Sequence, residues 1–177
     1  MIAPEEKIAE ARATYGRSIG EILAKEPERG IYKVLGAIEV LVGSKIHQKL
    51  PTSPSERMIF AFTWLAREVQ NGGFHQFFVN SAGDFWKDVS SGLVAVGDEN
   101  GSALFRQVLS IFPDSSPSED RDARLNQLDE LEEQDEDRVW DHFKSVTDHY
   151  FRTPFPNWEL VYVYVKTHPD EFDLRNA

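Results

Sequence analysis

Seven successive segments of this chain repeat their apolar residues every three or four positions, a period that fits helix and leaves little room for sheet. Ile8, Ala11, Tyr15, Ile19, Ile22 and Leu23 make the first stripe, with Pro27 expected to end it; Ile31, Val34, Leu35, Ile38, Leu41 and Val42 make the second. Met58, Ile59, Phe62, Leu65 and Val69 follow, behind Ser53-Pro54-Ser55-Glu56, which reads as a capping box with proline at the first helical position. Gly72 is the expected stop of that helix. Trp86, Val89, Leu93 and Val96 share one face, and Leu104, Val108, Leu109 and Phe112 the next. Leu125, Leu128 and Leu131 mark one acidic helix, and Val139, Trp140, Phe143, Val146 and Tyr150 mark another. "NWELVYVYVKTH" is ambiguous because its valines alternate as in a strand, yet no partner strand is evident and a final helix is expected. The expected fold is all-α, a single globular domain of about eight helices without a repeat of fixed period.

A chain of 177 residues with 41% hydrophobic side chains can bury a sizeable core. It has no cysteine, which excludes disulfides and thiolate metal sites. The N-terminal stretch is amphipathic and acidic from the start, without a basic-then-apolar leader, and no apolar run approaches the ~20 residues a spanning helix needs. These features lead us to expect a soluble, cytoplasmic protein with no membrane partner. The net charge of −11 repels phosphates, so direct nucleic-acid binding is disfavoured and basic proteins are the favoured partners. That charge is concentrated: residues 113–137 hold 11 acidic side chains and 2 arginines.

The common catalytic signatures are absent: there is no GxGxxG, GxxxxGK[ST], HExxH or GxSxG. His142 and His149 stand seven residues apart, ~10 Å along a helix, too far to share one metal. No cofactor, metal ligand or catalytic residue is expected, and the chain does not read as an enzyme. The least generic stretch is "EVQNGGFHQFFVNSAGD", residues 68–84. Asn71, His75, Gln76, Asn80 and Asp84 could line a small pocket, with His75 as acid or base and the amides orienting a ligand. The other reading is structural: Gly72 and Gly73 turn the chain, Asn80 or Ser81 caps a short helix, Asp84 caps the next, and the phenylalanines fill the core. No nucleophile or activated base accompanies His75, which favours the structural reading.

"NGGFHQFFVNSAGD", residues 71–84, resembles the signature of a bacterial family of unknown function, the DNA-mimic-protein-like family. Val96-Gly97, Phe112-Pro113 and the acidic segment Leu128–Asp135 continue the likeness, which runs over about residues 50–172. The resemblance implies a mostly helical fold. For at least one branch it also implies an acidic homodimer that occupies the DNA-binding face of a transcription factor. It implies no enzyme, cofactor or metal. Residues 1–47 lie outside it and are expected to form a helical extension packed on a core domain of residues 50–177.

Asp129, Glu132, Glu133 and Glu136 follow the i, i+3, i+4, i+7 spacing that lines carboxylates along a helix every ~5 Å, and Asp122 continues the row backwards by one heptad. Glu130 and Asp137 flank it. DNA carries one charge per ~3.4 Å along each strand, so this row is the expected contact surface for a basic DNA-binding protein. Like charges at this density repel, and only Arg121, Arg124 and Arg138 stand near enough to relieve them. The alternative function is a small-molecule-binding protein or enzyme built on the His75/Asn80 region.

Overall fold

The computed structural model describes residues 5–175. Among these the protein is all-α, with nine α-helices, three short 3-10 turns and no strand. The helices are α1 (Glu5–Tyr15), α2 (Ile19–Leu23), α3 (Glu26–Arg29), α4 (Ile31–His47), α5 (Pro54–Val79), α6 (Trp86–Ala95), α7 (Glu99–Leu109), α8 (Arg121–Arg152) and α9 (Trp158–Thr167). The chain forms two compact units, one made up to Phe60 together with Trp158 onward, the other of Ala61–Asn157.

In the first unit α1, α2 and α3 pack on α4, and α4 packs on α9. The first apolar stripe is not one helix. Gly16, at φ +100°, breaks it, and Ser18 restarts it with a capping box in which its hydroxyl accepts from Glu21 N and its own N–H donates to Glu21 Oε2. Pro27 does not terminate that segment; it sits in the first turn of α3, where a missing N–H costs nothing. The second stripe holds as read, with Val34, Leu35, Ile38, Leu41 and Val42 all buried in α4.

The expected box at Ser53 opens α5. Glu56 N donates to Ser53 Oγ at 3.1 Å, and Ser53 N donates to Glu56 Oε2 at 3.0 Å. Ser53 Oγ also donates to Glu171 O at 2.6 Å. The Glu56 carboxylate is buried, receiving Lys45 Nζ at 2.6 and 2.7 Å and Asp173 N at 2.9 Å, so the box also anchors the C-terminal segment. Ser53→Ala removes both hydroxyl bonds and is expected to cost about 1 kcal/mol. A urea melt with an unchanged midpoint would mean that the hydroxyl stabilises nothing.

The ambiguous C-terminal segment is helix α9. Val161 and Val165 are buried while Val163 is 56% exposed; a strand would have put all three on one face, whereas burial at i and i+4 is helical.

The second unit is held by aromatic rings. Phe74 stacks against Phe155 and meets Tyr150 edge-on; Phe78 packs edge-on against Phe77 and Phe112, with Phe143 beside it. Such edge-to-face pairs contribute roughly 0.5–1.5 kcal/mol each beyond the area they bury. Burial pushes the Tyr150 phenol up from its ordinary value. Every residue expected on the inner faces of α6 and α7 is buried, from Trp86 and Val89 to Leu109 and Phe112.

Candidate functional site

The motif begins where α5 is interrupted. Gly72 and Gly73 leave helical geometry, Gly73 at φ +75°, and the helix resumes at Phe74. A Cβ on Gly73 would stand 2.8 Å from Thr147 Oγ1, the same hydroxyl that accepts from Phe74 N at 3.2 Å. Glycine is needed here for its backbone angle and for the close approach of α8.

The five polar side chains of the proposed pocket do not converge. Asn71 is exposed on the surface. Gln76 Nε2 and Asn80 Nδ2 both donate to Glu68 Oε2, at 2.7 and 2.8 Å, tying the two halves of α5 together across the glycines. His75 turns the other way, donating from Nε2 to Glu132 Oε1 at 2.9 Å and stacking on Trp140 with ring centroids 4.7 Å apart. Asp84 caps no helix. The N-cap of α6 is Phe85, and Asn80 opens the 3-10 turn Ser81–Phe85 without a side-chain bond to it.

Asp84 instead accepts from Arg124, the residue that organises this region and that spacing did not single out. Arg124 is 0% exposed. Its Nε donates to Phe78 O at 2.7 Å, Nη2 to Asn80 O at 3.0 Å and Asp84 Oδ1 at 2.7 Å, and Nη1 to Ser118 O at 2.8 Å. Its neighbour Arg121 donates to Val79 O at 2.9 Å. The last carbonyls of a helix have no partner within it and favour positive charge, and α5 receives both arginines there. Gly83 belongs to the same arrangement: a Cβ there would lie 2.7 Å from Arg124 Nε. The Asn80 carbonyl, Gly83 and the Asp84 carboxylate thus surround a guanidinium, while Ser81 is exposed and the Asn80 side chain serves Glu68. Arg124 is therefore not available to relieve the acidic face, contrary to expectation.

The acidic face itself lies on α8. Arg124, Leu128 and Leu131 point inward, and Asp122, Asp129, Glu130 and Glu133 are exposed. Asp135 leaves helical geometry, and its Oδ1 accepts from Arg138 N at 3.1 Å, so it caps a second half carrying the exposed Glu136 and Asp137. The row expected to run unbroken from Asp129 to Glu136 is thus interrupted at Asp135, between the two apolar stripes. Glu132 is half-buried, its carboxylate engaged by His75.

Beside it lies a depression of about 340 Å³ lined by Gly72, Gly73, His75, Trp140, Phe143 and Thr147, with Asp141 and Lys144 on its rim. Lys144 is engaged along the helix by Asp148 at 2.9 Å, and this ammonium holds the Asp148 carboxyl below the usual carboxylate range. No group of three or more potential metal-binding side chains occurs among the described residues, and no helix there is long and apolar enough to cross a membrane.

Fold and site together define an all-helical class of protein in which a glycine-rich polar motif wraps a buried arginine while the same helix turns its carboxylates outward. The family model described as DMP19-like protein matches residues 51–168, about two-thirds of the chain, and the chain belongs to that DNA-mimic-like family. No curated protein and no solved structure matches it.

Proposed function

We propose that this protein is an acidic protein-interaction module that occupies the DNA-binding face of a basic DNA-binding protein, a transcription factor or a nucleoid protein. The observation that carries the reading is the exposed carboxylate set of α8, Asp122, Asp129, Glu130, Glu133, Glu136 and Asp137, in a member of a DNA-mimic-like family. Dense exposed carboxylates attract a basic face and repel phosphate, which selects the proteins that bind DNA and not DNA itself. Dimerisation of the chain belongs to the same proposal, since two acidic faces would span more of a partner's basic surface.

The interaction-module reading is favoured over a pocket built on His75 and Asn80 because Gln76 and Asn80 serve Glu68 while Asp84 serves Arg124. A basic DNA-binding protein that co-purifies with the chain at low ionic strength should be released as salt approaches 1 M, where the screening length falls to about 3 Å. The released protein should bind its operator, and adding the chain back should remove it in a gel shift. A partner retained at that salt, or one that binds no DNA, is incompatible with this reading.

A further inference from the structure

Trp140 is half exposed, an unusual state for the largest apolar side chain, and it stands on the acidic helix. Its ring stacks on His75, which is itself held by Glu132, so the indole is braced from one side and open on the other. Glu136 and Asp137, both exposed, precede it by four and three residues, the spacing that places side chains next to each other on a helix. Trp140 also lines the depression, together with Gly72, Gly73, His75 and Phe143.

We propose that this is an arginine-accepting site, in which a guanidinium of the basic partner lies on the open face of Trp140 and its aliphatic stem lies in the depression. The inference rests on the acidic-module reading and names the side chain that such a partner presents. Three features of the site select arginine. An indole face attracts a cation, tryptophan most strongly among the aromatic residues, and the planar guanidinium stacks where an ammonium cannot. The carboxylates of Glu136, Asp137 and Asp141 supply complementary charge around the ring. An arginine stem is long enough to cover apolar surface while its head reaches those carboxylates. Lys144, the cation on the rim, is paired with Asp148 and so competes little for them.

The test uses the full chain with nona-arginine and nona-lysine as probes of equal charge, at low and moderate salt. The arginine peptide should bind about five- to tenfold more tightly than the lysine peptide. Trp140→Leu should reduce that preference to less than about twofold, by weakening the arginine peptide more than the lysine peptide. Because the indole is half exposed, the variant should fold, which far-UV circular dichroism checks, and Trp140→Phe should restore part of the preference. The indole N–H resonance lost in Trp140→Leu should shift when the arginine peptide is added.

An arginine preference undiminished in Trp140→Leu overturns the site while leaving the acidic module intact. Failure of both peptides to bind the wild-type chain at low salt overturns both. Displacement of nona-arginine by indole at lower concentration than by arginine methyl ester would make the depression an apolar small-molecule pocket instead. Concentration-dependent self-association abolished by Trp140→Leu would make it a contact between copies of the chain. Either result sinks the proposal.

Discussion

Replacing Arg124 by methionine is expected to lower stability by about 3–5 kcal/mol, the range seen when one partner of a buried charged network is removed. Methionine fills much of the same volume, so the loss isolates hydrogen bonding from packing. Phe78 O, Asn80 O and Ser118 O would lose their donor, and each such group left dry costs about 1–3 kcal/mol. Asp84, whose side chain is 38% exposed, can turn to water, so Asp84→Asn should cost far less than the arginine change. A domain of this size is stable by roughly 5–15 kcal/mol, so the methionine variant should show a much lower urea midpoint. It should also lose order in the aromatic cluster, visible by near-UV circular dichroism. An unchanged midpoint would show that the guanidinium is dispensable and that packing alone holds the motif.

The second large effect is expected on binding. Changing Asp129 to asparagine and Glu132, Glu133 and Glu136 to glutamine removes four charges and little volume. Close charge pairs at a protein interface couple by about 1.5 kcal/mol or more each, so even with incomplete additivity the loss should exceed about a hundredfold. The glutamine at 132 can still accept from His75 through its amide oxygen, which preserves the brace behind Trp140. Helix content should be unchanged, with a small gain in stability as like charges are removed. In a competition gel shift the altered chain should no longer keep its basic partner from operator DNA. Equal competition by the variant and the original would reduce this face of α8 to a solvated surface.

The helical character of the chain was legible because amphipathic helices advertise themselves by period, and α4, α5, α6 and α7 bury the stripes that spacing picked out. The start of α5 was legible for a second reason: a capping box is a chemical signal, local to four residues. The same signal stands at Ser18-Ile19-Gly20-Glu21 and predicts the break between α1 and α2, but the apolar stripe running through it masked the restart. The break at Asp135 had only an indirect signal, the change of stripe between Leu131 and Val139.

Arg124 was hidden for a deeper reason. Arginine is rarely buried, and its partners are mostly backbone carbonyls, which look alike in every sequence; Phe78 and Asn80 lie 46 and 44 residues away. Gly83 carried a trace of it, as a glycine to which no turn was assigned, whereas the helix cap expected of Asp84 concealed its part in it. The dispersal of His75, Gln76, Asn80 and Asp84 to three separate partners likewise depended on which way each faced once α5 and α8 came together.

The buried guanidinium also determines how freely the outer face can change. It works as a dowel between the end of α5 and the first half of α8, fixing the rotation of that half about its own axis without drawing on any of the exposed carboxylates of α8. Under the proposed function, orientation and recognition then fall to different residues. Single exchanges among Asp122, Asp129, Glu130 and Glu133 leave the dowel in place, and each should be nearly silent for the fold while retuning the charge pattern offered to a partner. On the proposed function, one scaffold would in this way be refitted to differently spaced basic faces by surface exchanges alone, whereas a change at Gly83, Asp84 or Arg124 would loosen the bearing for all of them together.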